Sequence, residues 1–273
     1  MDTAANNLTG SFLNLFFPPV CPLCKKALSA GHAGLCATCL GGLKKIDGPL
    51  CTVCGTPFPF AATGPEGEAE NRWTCAACLT DRVPFVRARS AFYYEGVMLE
   101  AIHGFKYGGD MALAAPLGRL MAGAALKVFP AGEMPELIVP VPLHCKRLKT
   151  RGFNQSLLIA GEMAKTLSIE VDRLSLKRTR HTAPQVEMKE KERLENVKGA
   201  FEVTDLRWSI SRPLWSISRP RRPTSRPCRF SGKRVLLVDD VFTTGATVRE
   251  CSKALKKAGA EVYVLTLARV VRL

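Results

Sequence analysis

The fold of this chain is decided by the stretch Val235-Leu-Leu-Val-Asp-Asp-Val-Phe-Thr-Thr-Gly-Ala-Thr247. Its apolar start does not alternate with polar residues, which predicts a strand buried on both faces of a parallel sheet. The helical apolar spacing of Thr247–Ala258 ends at Gly259, a residue typical of helix C-termini. A second apolar run, Glu261–Ala268, predicts the next strand. Strand, helix and strand in this order predict a right-handed βαβ unit.

The segment between the first strand and the helix has the features of a sugar-phosphate site. Amides of the loop and of the first helical turn favour an anion, as does the helix dipole, and glycine permits close approach of the backbone. The predicted phosphate ligands are Thr243, Thr244, Gly245, Ala246 and Thr247. Asp239 and Asp240 can accept hydrogen bonds from vicinal hydroxyls such as those of a ribose. An acidic turn that caps the helix explains less of the motif. Acids that turn inward to pair with a buried lysine or arginine would contradict the pocket.

The cysteines predict a metal-binding module at residues 12–80. Eight of the 11 cysteines form C-x-x-C pairs, namely Cys21/Cys24, Cys36/Cys39, Cys51/Cys54 and Cys75/Cys78. One such turn presents two thiolates to an ion, and two turns complete a tetrahedral shell that suits zinc. We therefore predict two structural zinc sites, with iron–sulfur clusters or redox dithiols as alternatives. The pairing of the turns, sequential or interleaved, stays open.

Charge and composition favour phosphorylated or polyanionic ligands. The net charge is +15, and a basic insertion at about residues 205–230 contains the repeat Trp208–Pro213 and Trp215–Pro220. Its proline density predicts a surface loop, either inert or in contact with nucleic acid. A run of 18 apolar residues and a basic leader are both missing, so we expect no membrane span, no signal peptide and a cytoplasmic location.

Several segments resemble known families. The stretch 235–247 resembles the signature of type I phosphoribosyltransferases that binds phosphoribosyl diphosphate (PRPP). Val139–Gln155, Phe105–Asp110 and Arg178–Gln185 resemble the ComF family, named for bacterial competence proteins, whose members begin with a double zinc ribbon. The resemblance covers residues 12–273 except the insertion. It implies an α/β domain at residues 85–273, with a parallel sheet flanked by helices.

The resemblance also implies roles for individual residues. Asp239 and Asp240 would hold the ribose hydroxyls, and residues 243–247 the 5′-phosphate. The basic residues assigned to the pyrophosphate or to catalysis are Lys146, Arg147, Arg151, Arg178 and Arg180. Arg178 and Arg180 would belong to a loop that closes over PRPP, with Mg²⁺ on the pyrophosphate. Lys106 and Tyr107 are weaker candidates, because a surface lysine and a core tyrosine would explain them nearly as well.

Three functions are compatible with these patterns. The first is transfer of ribosyl phosphate from PRPP to an unknown acceptor. The second is a nucleic-acid-handling competence protein that assists uptake of single-stranded DNA with a helicase partner and retains PRPP binding as a regulatory or vestigial function. The third is a PRPP-sensing regulator. The intact motif predicts PRPP binding in every case and does not decide whether anything is transferred.

Overall fold

The protein is described by a computed structural model for residues 19–28, 34–58, 73–130, 132–180, 182, 190–204 and 228–271. The Trp/Arg-Pro repeat lies outside the described residues. The apolar run Phe12–Val20 predicts a short helix that packs on the cysteine module, and all of this run except its last two residues also lies outside them. The last residues of the predicted insertion are described, and there Phe230 is fully buried.

The core of the fold is one parallel sheet. The strands of the described residues are β1 Arg87–Tyr93, β2 Leu137–Pro140, β3 Glu170–Val171, β4 Leu176–Arg178, β5 Phe201–Val203, β6 Arg234–Phe242 and β7 Glu261–Arg269. Five of them pair in the order β1-β7-β6-β2-β3 with every neighbour parallel, and β4 and β5 form a separate antiparallel pair. The predicted α/β class is therefore confirmed.

Helices cover both faces of the sheet. Those in the described residues are α1 Ala37–Gly41, α2 Ala76–Thr80, α3 Gly96–Tyr107, α4 Ala114–Val128, α5 Cys145–Arg151, α6 Gln155–Leu167, α7 Glu190–Val197 and α8 Ala246–Lys257. Alternate residues of β6 point to opposite faces. Leu236 and Val238 pack with α3, α4 and α6, whereas Val235 and Leu237 pack with α7, α8 and the β4–β5 pair. This two-sided burial explains why the strand shows no polar alternation.

The strand order creates a crevice at one edge of the sheet. From β2 the chain proceeds outward to β3, whereas from β6 it proceeds in the opposite direction to β7. The connections that leave β2 and β6 therefore diverge at the carboxyl ends of these neighbouring strands. A crevice of this kind is where open α/β sheets bind ligands.

One helical segment is long enough and apolar enough to cross a membrane. Met111–Val128 consists of a short 3₁₀ turn and α4, and it is apolar enough to cross a bilayer. Its residues Leu117, Met121 and Ala125 are fully buried in the core shared with α6 and the sheet. The apolar character of this helix is thus explained by packing against the rest of the domain.

The cysteine module pairs with the edge of the sheet. The amide of Tyr93 donates to the carbonyl of Lys44 at 2.9 Å, and the amide of Ala88 donates to that of Val53 at 2.7 Å. These bonds satisfy main-chain groups of β1, which would otherwise be an open edge strand.

Candidate functional site

A cavity of about 430 Å³ lies at the carboxyl edge of the sheet. Its wall is built from α3, the segments around α5, the start of α6, the end of β6 and the start of α8. These elements come from distant parts of the sequence. The parallel strand order brings them together, because all five strands end at this edge.

The loop of residues 243–245 before α8, hereafter the Gly245 loop, forms one side of the cavity. Gly245 has a φ of +75°, and a Cβ atom placed on it would lie 2.5 Å from Cζ of Phe242. A side chain at this position would therefore clash with the aromatic ring in addition to straining the backbone. Ala246 and Thr247 then begin α8 on the cavity wall. The first amides of a helix have no partner within it, so this side of the cavity attracts anions.

The two acids of β6 also line the cavity. Oδ1 of Asp239 accepts hydrogen bonds from Oγ of Ser156 and from the amide of Asp240, each at 2.9 Å. Burial, with a further contribution from the charge of Asp240, raises the pKa of Asp239 to about 7. The neutral form of Asp239 is therefore favoured more than that of an acid in water.

Asp240 forms an ion pair with Lys106, whose Nζ lies 2.9 Å from Oδ1 of the acid. Burial alone would lower the pKa of Lys106, but the Asp240 charge raises it, so the ammonium form is retained. A lysine partner of this kind would contradict the predicted pocket if both groups were turned into the core. Both line the cavity instead, so the pair is part of its wall.

The alternative of a surface lysine and a core tyrosine in α3 is wrong. The side chain of Lys106 is 17% exposed, whereas Tyr107 is 68% exposed. The acid at the end of β6 explains this inversion, because it provides a buried partner for the ammonium group.

Three arginines crowd the same cavity. Arg147 and Arg151 share one face of α5, and Arg178 extends from β4. Burial lowers the pKa of Arg147, and the neighbouring charge of Arg151 lowers it further. Burial also lowers the pKa of Arg178, and the charge of Arg147 adds to this effect. Arg178 donates to Oγ1 of Thr182, yet its buried Nε has no hydrogen-bond partner among the residues that the structure describes. The cluster has the charge and the donors that an anionic ligand requires.

Some predicted residues lie elsewhere. Lys146 is exposed on another face of α5 and is not part of the cavity wall. Arg180 donates to two carbonyls at and after the end of α7, at 3.0 and 2.7 Å, and is also outside the cavity. Thr243 lines this cavity, whereas Thr244 lines a second one of about 230 Å³ behind the loop. Consecutive residues of an α-helix point in different directions, so Arg147 lines the cavity and Lys146 does not. Adjacency in a sequence motif does not reveal this difference.

The structure adds residues to which the motifs assigned no role. Tyr94, His103, Gln155 and Ser156 line the cavity. Gln155 is 1% exposed, and its Nε2 has no hydrogen-bond partner in the described structure. Gln155 and Ser156 directly follow the Arg-Gly-Phe-Asn segment, and their position at the start of α6 is the only local signal for their role.

The cysteines form two tetrads, and the pairing is sequential. The first is Cys21, Cys24, Cys36 and Cys39, and the second is Cys51, Cys54, Cys75 and Cys78, with the sulfurs of each set within 4.8 Å of one another. Sulfur–sulfur distances are 3.9 Å for Cys21–Cys39, 3.5 Å for Cys24–Cys36 and 3.6 Å for Cys54–Cys75. Tetrahedral zinc with bonds of about 2.3 Å requires separations of about 3.8 Å. The tetrads therefore fit zinc.

Backbone amides favour the thiolate form in both tetrads. The amide of Cys36 donates to Sγ of Cys21 at 3.4 Å, and the amide of Cys75 donates to Sγ of Cys51 at 3.3 Å. Burial alone would raise the pKa of Cys21 and of Cys51, but these and neighbouring amides lower each to about 6. Such sulfurs are suited to metal ligation. Four sulfurs leave no open coordination position, so the predicted role is structural.

The second tetrad contacts the domain next to the Gly245 loop. Arg269, at the end of β7, is 5% exposed and donates from Nη1 to the carbonyl of Cys54 at 2.7 Å and from Nη2 to Oγ1 of Thr56 at 3.0 Å. Its guanidinium carbon lies 4.0 Å from the centroid of the Phe242 ring. That ring packs under Gly245, so a continuous set of contacts joins this tetrad to the loop.

Comparison with known proteins identifies both parts of the chain. Residues 12–79 match the double zinc ribbon domain, and residues 154–271 match the phosphoribosyl transferase domain. The molecule is therefore a double zinc ribbon protein with a phosphoribosyl transferase domain.

Its relatives define the family more narrowly. The chain is 30% identical over 261 residues to DNA utilization protein YhgH of Escherichia coli, covering 93% of this chain and 99% of the relative. It is 30% identical over 257 residues to competence protein F of Haemophilus influenzae, covering 93% and 98%. The chain belongs to the ComF family of competence proteins. Among solved structures, glutamine phosphoribosylpyrophosphate amidotransferase from B. subtilis is similar with 20% identity and a TM-score of 0.32, covering 57% of this chain and 27% of that one.

Proposed function

We propose that this protein binds PRPP in the cavity and transfers its ribosyl phosphate to an acceptor. The observation that carries this proposal is the convergence of the Gly245 loop, the acids Asp239 and Asp240, and three arginines on one cavity. Each group matches a different part of PRPP: a phosphomonoester, a vicinal diol and a pyrophosphate.

The phosphate and the sugar are assigned to the β6–α8 side. The first amides of α8 and the hydroxyls of Thr243 and Thr247 would hold the 5′-phosphate. Asp239 and Asp240 would accept hydrogen bonds from the ribose hydroxyls, and their ionised forms accept stronger hydrogen bonds than their protonated forms. Because the pKa of Asp239 is raised to about 7, we expect tighter sugar binding at slightly alkaline pH than at acidic pH.

The pyrophosphate is assigned to Arg147, Arg151 and Arg178. Their mutual repulsion in a partly buried site would be relieved by a multiply charged anion. The Nε of Arg178, which has no partner within the described part of the chain, would supply a further donor. The same charges would stabilise pyrophosphate as it leaves the ribose. Mg²⁺ would be held mainly by pyrophosphate oxygens and water, with the two acids as the available protein carboxylates, and would neutralise charge.

A calorimetric titration with PRPP and Mg²⁺ at about pH 8 tests the binding. We expect Asp239→Asn with Asp240→Asn to weaken PRPP by at least about tenfold, because neutral amides accept weaker hydrogen bonds from the diol. Asp47→Asn removes an exposed acid of the ribbon module outside the cavity and should leave the affinity unchanged. Equal affinity of the wild type and the double variant would refute the site. Release of pyrophosphate on addition of an acceptor would then test transfer.

A second candidate function is the handling of single-stranded DNA, in company with a helicase. It is supported by the names of the relatives, which refer to DNA utilization and competence, and by the net charge of +15. Oligonucleotide binding that falls with salt and persists in the double aspartate variant would favour this function. Both candidates are compatible with the cytoplasmic location that we propose.

A further inference from the structure

We infer that the second cavity, behind the Gly245 loop, binds a tetrahedral oxyanion such as phosphate, with Arg249 as its principal cation. This cavity has a volume of about 230 Å³. One wall belongs to the second tetrad and the other to the phosphoribosyl transferase domain. The inference goes beyond the proposed function, since it concerns a different cavity and does not require PRPP to bind.

The start of the Gly245 loop separates the two cavities. Phe242 and Thr243 line both of them, whereas Thr244 and Arg249 line only the second. A Cβ atom on Gly245 would lie 2.5 Å from Cζ of Phe242, so the aromatic ring closes the space directly beneath that residue. An anion in the second cavity would therefore contact the loop from the side opposite to the proposed 5′-phosphate.

Arg249 is a cation of α8 without a close anionic partner. Its side chain is 21% exposed, and its Nη1 lies 3.7 Å from Oδ2 of Asp81, which is longer than a hydrogen bond. The side chain of Asp81 is 71% exposed, so this ion pair contributes little. Nε of Arg249 is buried and has no hydrogen-bond partner within the ranges that the structure describes. The guanidinium therefore retains donors for another anion.

The neighbouring tetrad has cations of its own. A divalent zinc ion held by four thiolates leaves an excess of negative charge. Arg269 donates to the carbonyl of Cys54 at 2.7 Å, and Arg89 donates to that of Cys51 at 3.2 Å. These two arginines lie beside ligands of the tetrad and offset its charge. The charge of Arg249 is left for a further anion.

The donors and the volume of the second cavity suit phosphate. Oγ1 of Thr244 accepts from the amide of Ala246 at 3.4 Å, which leaves its hydroxyl proton for an acceptor in the cavity. A guanidinium binds two oxygens at once, so a carboxylate would be used up by Arg249, whereas phosphate has further oxygens for Thr244. A water molecule occupies about 30 Å³ in the liquid, so the cavity has room for phosphate and a few waters.

The location of the site is tested with crystals of the zinc-loaded full chain soaked in tungstate, a tetrahedral oxyanion that anomalous scattering locates. We expect density in the second cavity next to Arg249, and we expect Arg249→Gln to abolish it. Arg82→Gln removes an exposed arginine outside both cavities and should retain the density. Density that persists in Arg249→Gln would mark an adventitious ion only and would overturn the inference.

The affinity is tested by titrating phosphate in the presence of saturating ribose 5-phosphate, which occupies the first cavity under the proposed function. We expect Arg249→Gln to weaken phosphate by at least about tenfold, because charge-assisted hydrogen bonds are lost. Arg249→Lys keeps the charge without the fork and should weaken it less. Arg82→Gln should not change it. Retention of both zinc ions shows that each variant is folded.

The outcomes distinguish this site from the sugar-phosphate site. An empty second cavity, or equal phosphate affinity of the wild type and both Arg249 variants, overturns the inference and leaves the proposed function in place. If ribose 5-phosphate does not bind but the density next to Arg249 is present and is lost in Arg249→Gln, the proposed function fails and the anion site stands. Methyl phosphate that binds as phosphate does would identify the ligand as a phosphomonoester, and its failure to bind would identify free phosphate.

Discussion

The two cysteine tetrads have the same ligands but different neighbours. In the first, Cys21 and Cys39 pack into the core cluster that contains α3 and α4, and a peripheral ion pair joins Lys25 to Asp110 at 2.5 Å. The second is connected by Arg269 to the Phe242 ring, which packs beneath the Gly245 loop. The comparison shows that two equivalent metal sites can support different parts of a domain. We expect loss of the second site to disturb ligand binding more.

The largest expected effect comes from removing each tetrad separately, because a bound structural zinc ion contributes more free energy than any single polar contact. Cys54→Ser with Cys78→Ser should reduce bound zinc from two ions to one per chain. It should also weaken the binding of ribose 5-phosphate by about tenfold, a magnitude typical of coupled sites. Cys24→Ser with Cys36→Ser should cause the same loss of zinc with little change in affinity. Metal analysis and calorimetry measure the two quantities independently. Equal loss of affinity in both double variants would show that the tetrads do not differ in this respect.

The next effect concerns the polar contact that each tetrad region makes with the rest of the chain. Arg269→Lys keeps the charge but loses the paired hydrogen bonds to Cys54 and Thr56, so we expect it to reduce the free energy of unfolding by about 2–4 kcal/mol. Lys25→Ala removes an ion pair whose lysine side chain is 64% exposed, and should cost less than about 1 kcal/mol. Urea denaturation of both variants provides the measurement. Similar losses would mean that the buried contact contributes no more than the peripheral one.

The smallest effect separates steric fit from backbone conformation in the second ribbon. Gly55 has a φ of +70°, and a Cβ atom there would lie 2.5 Å from the carbonyl oxygen of Ala88 in β1. Gly48 has a φ of +99° with open space around it. We expect Gly55→Ala to cost about 1–2 kcal/mol more than Gly48→Ala, because only the former must move a strand carbonyl. Thermal denaturation of the two variants tests this, and equal melting temperatures would argue against tight docking of the ribbon.

The fold was predictable to the extent that local patterns carry it. The helical spacing and the good helix formers of Gln155–Leu167 predict a helix, and α6 has those bounds in the structure. The apolar run Arg234–Val238 predicts a strand, and β6 begins at Arg234. That strand continues to Phe242, four residues beyond the apolar run, because β7 also pairs with it at Asp239, Val241 and Phe242. Pairing with a neighbour is a property of the sheet, which the apolar pattern of one strand does not contain.

The candidate site was predictable only in part. The Gly245 loop was recognisable from its sequence, because a strand, an acidic pair, a glycine turn and a helix follow one another in the chain. The partner of Asp240 was not, since Lys106 is 134 positions away and reaches the acid only when α3 packs on the sheet. Arg180 illustrates the opposite case, in which a basic residue next to Arg178 in sequence projects away from the cavity.

By itself, the sequence determined the parallel α/β class, the phosphate-loop motif and the presence of eight paired cysteines, because each depends on residues close together in the chain. The tertiary structure decided which cysteine pairs share a site, which arginines face the cavity and which aromatic side chains line it. Those outcomes depend on how distant elements pack. The free energy of packing comes from contacts between residues that lie far apart in the sequence, and a local motif does not contain them.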